Sequence, residues 1–153
     1  MTEIAVNRKA RHDYFLYDKF EAGIALKGFE VKSIREGRVN LKDSFVRVIR
    51  NEAFLFNCHI TPYSHIQSHA EVDPTRSRKL LLKKSEIDRL AGQTSQKGFA
   101  IVPLSLYFKK GLVKVEIATA KGKKEFDKRE TIKRRIHERE SAAAVKSHAR
   151  RKP

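Results

Sequence analysis

Residue types able to do covalent or metal chemistry are present, but not at spacings that let them cooperate. Cys58-His59, with His65 and His69, is the cluster with metal-ligating residue types. His65 and His69 stand four apart without a helical pattern around them. Cys58 is the single cysteine, so an internal disulfide and a Cys-based zinc ribbon are both excluded. The cluster reads as exposed loop histidines beside a buried thiol. Glu21 and Glu30 could form an acid–base pair, yet nothing in the sequence brings them together. Gly23 and Gly28 are too far apart for a phosphate loop and precede no long helix. No Gly-x-Ser-x-Gly elbow occurs, and no Ser, His and Asp are spaced as a triad. The expectation is therefore no catalytic residue, no metal site and no cofactor. Binding is favoured over catalysis.

The charge says what kind of partner is bound. The 153 residues hold 34 Lys/Arg against 18 Asp/Glu, a net charge of +16. So strong a field on so small a body suits a polyanion. Three clusters concentrate it: Arg8-Lys9-Ala10-Arg11-His12, Arg76-Ser77-Arg78-Lys79 and Lys121-Gly122-Lys123-Lys124. With Lys109, Lys110 and Lys114 they outline a shared nucleic-acid surface; any one cluster alone would read as a solvated face. Leu80-Leu81-Leu82 lies directly beyond the second cluster. Three adjacent leucines cannot all face one core, so at least one is expected at the surface. It either packs on a neighbouring helix or lies against a base or sugar of a folded RNA.

These side chains need a scaffold, and the patterning supplies one. Tyr14 to Leu26 reads as a strand with a bend or bulge near Ala22-Gly23. Gly28 to Arg35 suits a short helix ended by Gly37. Phe45 to Ile49 and Phe54 to Ile60 form a hairpin about Arg50-Asn51-Glu52, with Phe54, Phe56, Cys58 and Ile60 on one face. Residues 63–78 form a long connection. Ser85 caps a helix over Ser85 to Ala91, with Asp88 completing a capping box, Ile87, Leu90 and Ala91 inward, and Gly92 stopping it. Phe99 to Phe108 alternates, placing Ala100, Val102, Leu104, Leu106 and Phe108 on one side. A turn at Lys109-Lys110-Gly111 leads into Leu112 to Ala118, with Val113, Val115 and Ile117 inward and Lys114 and Glu116 outward.

Five or six such strands with two or three short helices give a mainly β, α+β fold, best closed as a small barrel. The body spans residues 1–120. Residues 121–153 carry 13 Lys/Arg and 5 Asp/Glu but only Phe126, Ile132, Ile136 and Val145 as larger apolar groups. Four such side chains do not offset ordering entropy of ~1–2 kcal/mol per residue, so this segment is expected to be a basic tail, disordered alone. Ile132, Ile136 and Ala142-Ala143-Ala144 bias it toward helix once a partner is met. Residues 1–14 lack the apolar core of a secretory signal, and Phe99 to Phe108 is half a bilayer span. A cytoplasmic protein without membrane contact, monomeric when free, is expected.

Three longer motifs stand out: Glu21-Ala22-Gly23-Ile24-Ala25-Leu26-Lys27-Gly28-Phe29-Glu30-Val31-Lys32-Ser33-Ile34-Arg35, Asp73-Pro74-Thr75-Arg76-Ser77-Arg78-Lys79-Leu80-Leu81-Leu82, and Ala120-Lys121-Gly122-Lys123-Lys124 with Asp127-Lys128-Arg129. Shorter ones are Asn7-Arg8-Lys9-Ala10, Glu52-Ala53-Phe54-Leu55 and Ile60-Thr61-Pro62-Tyr63. Taken together, these motifs resemble one family, small protein B, the SsrA-binding proteins of bacterial trans-translation. The resemblance implies an oligonucleotide-binding-type β-barrel with flanking helices. It also implies binding to the tRNA-like domain of transfer-messenger RNA (tmRNA), and delivery of that RNA to stalled ribosomes. The tail would occupy the empty mRNA channel near the small-subunit decoding centre, in place of an anticodon arm.

By the same resemblance Glu21, Leu81 and Lys114 are RNA-facing; on charge alone, Arg8, Lys9, Arg11, Arg76, Arg78, Lys79 and Lys109 are expected to add phosphate contacts. For Glu21 an ion pair bracing the barrel stays the open alternative. Lys121, Gly122, Lys123 and Lys124 would enter the ribosome, followed by Phe126, Asp127, Lys128 and Arg129 along the mRNA path. Phe126 stands where some relatives carry His; a phenyl ring can stack on a base but cannot donate a hydrogen bond. A structural ribosomal protein and an RNA-modifying enzyme or nuclease remain the competing readings.

Overall fold

Strict alternation over Val113, Val115 and Ile117 buries all three, and the remaining strands assemble around that spine. A computed structural model describes residues 2–62 and 73–123. Most of the connection after Pro62, with His65 and His69, lies outside the described residues. So does everything from Lys124 onward, including Phe126, Asp127, Lys128 and Arg129. The elements are β1 (Thr2–Val6), α1 (Arg8–Asp13), β2 (Tyr14–Ile24), α2 (Gly28–Arg35), β3 (Val39–Asn40), β4 (Phe45–Ile49), β5 (Glu52–Phe56), β6 (His59–Ile60), β7 (Arg78–Leu81), α3 (Lys84–Thr94), β8 (Phe99–Lys109) and β9 (Leu112–Gly122).

The class is mainly β with a few short helices, as expected. Strands β2, β9, β8, β4, β5 and β7 join in that order, and β7 pairs back to β2, so they form a ring. Strand β1 adds to β8, and β3 pairs with β6 apart from the ring. Two expected hairpins are present. Arg50 and Asn51 both have positive φ, 52° and 63°, as do Lys110 and Gly111, 51° and 76°, the signature of tight two-residue turns between antiparallel strands.

The alternation expected along β8 is broken once, for a local reason. Opposite β9, Pro103 pairs with Ile117 and Ser105 with Glu116, so Leu104 is an extra residue in the ladder. Such a bulge swaps the faces beyond it. Ile101 before it and Leu106 after it therefore both face the main core, whereas Val102 and Leu104 join Ala10, Ala118 and Ala120 in a second, smaller core under α1. Ala100 to Phe108 thus do not share one side.

Other boundaries shift. Strand β5 ends at Phe56 because Asn57 takes a left-handed φ of 61°. The break moves the inward set to Ala53 and Leu55, then Cys58 and Ile60, and leaves Phe54 and Phe56 half-buried. Helix α3 starts at Lys84 and passes through Gly92 to Thr94, with Leu90 its one buried residue. Its first turn is closed not by Ser85 and Asp88 but by Glu86, which accepts from the Lys83 amide at 3.0 Å. Strands β1, β3 and β7 and helix α1 lie outside those expectations. Asn7 secures α1: its Oδ1 accepts from the Ala10 amide at 3.1 Å, and its Nδ2 donates to the carbonyls of Pro103 (2.9 Å) and Leu41 (3.3 Å). Strand β9 runs past the expected boundary at 120, since Lys121 pairs with Phe15 and Gly122 with Tyr14.

Candidate nucleic-acid interface

Strand pairing brings the expected RNA-facing residues onto one outer face of the ring. Gly23 in β2 lies opposite Leu81 in β7 on one side and Lys114 in β9 on the other; Lys114 in turn lies opposite Tyr107 in β8. Directly opposed residues of antiparallel strands share a face, so Leu81, Gly23, Lys114 and Tyr107 form one row across four strands. Glu21 and Glu116 make the next row. Leu81 is 55 % exposed, while its neighbour Leu80 is buried. This resolves the leucine triplet: in a strand, Leu80 faces the core and Leu81 must face solvent. Gly23 is small for a reason here, because a Cβ at this position would stand 3.2 Å from the Leu81 Cβ.

Glu21 holds the centre of the second row. Tyr107 Oη donates to it at 2.5 Å and Lys109 Nζ at 3.2 Å. The phenol hydrogen bond, with help from Lys109 and Lys114, outweighs partial desolvation and holds the Glu21 carboxyl below its ordinary range. Burial and the facing carboxylate push the Tyr107 phenol well above its own. Glu21 is therefore an ionised acceptor, braced as the ion-pair alternative required and still surface-exposed. Tyr107, 4 % exposed and unassigned by sequence reasoning, fixes it in place. The tight turn at Lys110-Gly111 sets Tyr107 opposite the outward Lys114, and that hairpin register was the available signal.

The basic clusters divide between surface and core. Arg8, Lys9 and Arg11 are exposed on α1, with Arg11 4.0 Å from Glu116 and so beside the Glu21 row. Lys9 turns to Asp43 at 2.7 Å. Lys79 is exposed near Glu52 and Lys109 is exposed beside Glu21. Arg78 is a correction: it is 1 % exposed and is a core residue, not a surface cation. Its Nε donates to Glu30 at 2.7 Å, and its other nitrogens donate to the carbonyls of Cys58 (2.6 Å) and Pro74 (3.0 Å). Arg76 is half-buried and donates to the same Glu30 carboxylate. Strand parity places Arg78 with Leu80, inward, which is why it leaves the surface set.

The fold also places the other chemically distinctive side chains. Cys58 is buried, and burial pushes its thiol up to about 11, so it stays protonated and unreactive. Glu21 and Glu30 belong to different environments, one on the outer face and one in the core. Among the described residues no helix is long and apolar enough to cross a membrane.

The chain is similar to known proteins over nearly its whole length. The family model described as "SmpB protein" matches residues 4–147. A protein of Caldicellulosiruptor saccharolyticus named SsrA-binding protein is 58 % identical over 147 residues, 96 % of this chain and 92 % of its own length. One of Halalkalibacterium halodurans with the same name is 56 % identical over 96 % of this chain and 95 % of its own. A chain from a solved structure described as "tmRNA-SmpB: a journey to the center of the bacterial ribosome" superposes with a TM-score of 0.65 at 51 % identity, covering 78 % of this chain and 83 % of that one. With a matched region running nearly end to end and such identity, this chain belongs to the SmpB family, whose curated members carry the name SsrA-binding protein.

Proposed function

We propose that this chain is a tmRNA-binding adaptor of trans-translation, working where ribosomes work, in the cytoplasm. The ring of strands acts as an oligonucleotide-binding-type barrel, and its outer face grips the tRNA-like domain of the RNA. The carrying observation is the convergence of Leu81, Glu21 and Lys114 on one face of a chain in this family. Each has a task that suits folded RNA. Lys114, with Arg11 and Lys109 nearby, supplies charge to phosphates. Glu21, ionised and acceptor-only, takes hydrogen bonds from a base amino group or a ribose 2′-hydroxyl. Leu81, standing above Gly23, packs against a base or sugar. The segment after Lys123 is a second binding module, tethered at high effective concentration once the body is delivered. It lies in the vacant mRNA channel near the decoding centre. In this scheme the chain performs no covalent step; peptide transfer is the ribosome's chemistry.

Sequencing the RNA that co-purifies under stringent washing tests the reading directly. A single small RNA, tmRNA, is expected. Retention on vacant ribosomes at high salt without tmRNA would instead favour a structural ribosomal protein. On the outer face, Leu81→Ala is expected to weaken binding to the isolated tRNA-like domain by about tenfold, the equivalent of ~1.5 kcal/mol of lost apolar contact. Its thermal midpoint should hold, because Leu81 is not part of the core. Gly23→Ala should weaken binding in the same direction by displacing Leu81. Unchanged affinity in a mobility-shift assay for both variants would remove this face from the contact.

A further inference from the structure

A second surface, away from the Leu81–Lys114 row, combines aromatic rings with cations. Strand β4 joins β8 where Val46 lies opposite Ile101, and a cleft opens beside that pairing, lined by Tyr14, Phe45, Arg47 and Phe99. The Arg47 guanidinium sits 5.1 Å from the Phe45 ring centre, and the Lys121 ammonium 4.6 Å from that of Phe99. Tyr17 meets Phe99 edge-on at 5.2 Å and is 49 % exposed. A large aromatic so open to water, beside cations that pair with no carboxylate among the described residues, is unlike the packing of a core.

We propose that this cleft is a stacking platform for unpaired nucleotides of RNA. The inference rests on the reading of the chain as an RNA-binding adaptor and adds a second contact to it. Aromatic faces accept any base, and adjacent cations accept the phosphates between bases, which is how sequence-tolerant single-strand sites are built. Each cation now rests over a ring. Stacking of a base is worth more than an exposed cation–ring contact, so a base displaces the ammonium or guanidinium toward a phosphate. The carboxylates nearby are engaged: Asp43 takes Lys9 at 2.7 Å, and Asp18 takes Arg89 at 3.2 Å. The chain's own residues 124–153, which begin two positions past Gly122, are the other candidate occupant. They carry 11 Lys/Arg against 5 Asp/Glu, so their charge opposes that of Arg47 and Lys121, whereas RNA complements it.

The test uses the full chain and a short single-stranded RNA carrying one 2-aminopurine, whose fluorescence falls on stacking. The wild type should bind and quench. The double variant Tyr17→Leu, Phe99→Leu should lose roughly 5- to 30-fold in oligonucleotide affinity and the quench with it. Affinity for the tRNA-like domain should change less than about twofold, since that face is separate. Arg47→Gln, at an exposed position that folding does not need, should lower the salt dependence of oligonucleotide binding by about one unit of slope. Equal oligonucleotide affinity in all three proteins would overturn the proposal. With a photo-crosslinking residue at position 45, adducts to the oligonucleotide support it; adducts confined to residues 124–153 at saturating RNA would overturn it. Loss of tmRNA retention by the wild type would defeat the adaptor reading and leave the oligonucleotide result standing by itself.

Discussion

Removal of residues 124–153 is expected to leave affinity for the isolated tRNA-like domain within about twofold of wild type while abolishing tagging of stalled products. The cut belongs after Lys123 rather than at 120. Lys121 and Gly122 are rungs of β9 opposite Phe15 and Tyr14, so a cut at 120 would damage the ring itself. The outer face lies wholly within the described body, and the hydrogen bonds that hold Glu21, from Tyr107 and Lys109, come from β8. The lost segment carries 11 of the 34 basic residues, so some non-specific RNA affinity should go with it, most visibly at low salt. The adaptor scheme needs both modules: one to hold the RNA, the other to report that the mRNA channel is vacant. Tagging assayed in a reconstituted translation system, beside a mobility shift with the tRNA-like domain, separates them. A truncated protein that still supported tagging would sink the two-module scheme. One that lost domain binding would show that the tail shares the first contact.

How far the sequence disclosed this arrangement depends on which rule governed each residue. Period-two alternation was enough for β9, where every inward residue from Val113 to Ile117 is apolar. It was also enough to place Glu116 and Lys114 outward, and turn chemistry marked both tight hairpins. Alternation failed in β8 because Leu104 is inserted by a bulge, and both sides of that strand are buried, one by the ring's core and one by α1. A run apolar on both faces carries no parity signal to show where such a slip occurs. Helix α1 was hidden for a related reason. Four of its six residues are charged or His-like at the surface, and a single buried Ala10 anchors it. Its cap, Asn7, draws its other partners from Leu41 and Pro103, far along the chain.

The basic clusters teach a different lesson. Counting charge along the chain correctly forecast a cationic molecule, but it treated Arg76, Arg78 and Lys79 as equivalent. Strand geometry does not. Once Leu80 is inward and Leu81 outward, residue 78 must go in and residue 79 out. The inward arginine is tolerated because a carboxylate 48 positions away waits for it. Pairing over such a distance cannot be read from local pattern. The Glu21–Tyr107 hydrogen bond, 86 positions apart, was hidden in the same way.

That buried arginine makes Glu30→Ala the most damaging single change in the body. It should lower the free energy of unfolding by ~3–5 kcal/mol, because it leaves a guanidinium without its countercharge in the core. Glu30 is 1 % exposed and serves three donors: Arg78 at 2.7 Å, Arg76, and the Lys27 amide at 2.9 Å, where it closes the first turn of α2. Losing it therefore unties α2 from β7 and opens a helix cap as well. Replacing both partners with apolar residues often rescues a buried pair, but not here. Arg78 also serves the carbonyls of Cys58 and Pro74, so an Arg78→Met partner would orphan two buried acceptors. Glu30→Gln keeps the shape and the helix cap while removing the charge, and should fall between wild type and Glu30→Ala. The sign with pH follows from the same contacts. Burial alone would push the Glu30 carboxyl up, yet Arg76, the Lys27 amide and Arg78 together hold it below its ordinary range. A lowered carboxylate contributes stability in full above its unfolded value and loses it as pH falls through the folded one. Urea unfolding followed from neutral into acid should show that loss in wild type and a flatter acid limb in Glu30→Gln. Destabilisation of Glu30→Ala by less than about 1 kcal/mol would mean that Arg78 finds water or another partner, and that the pair does not hold β7 in the ring.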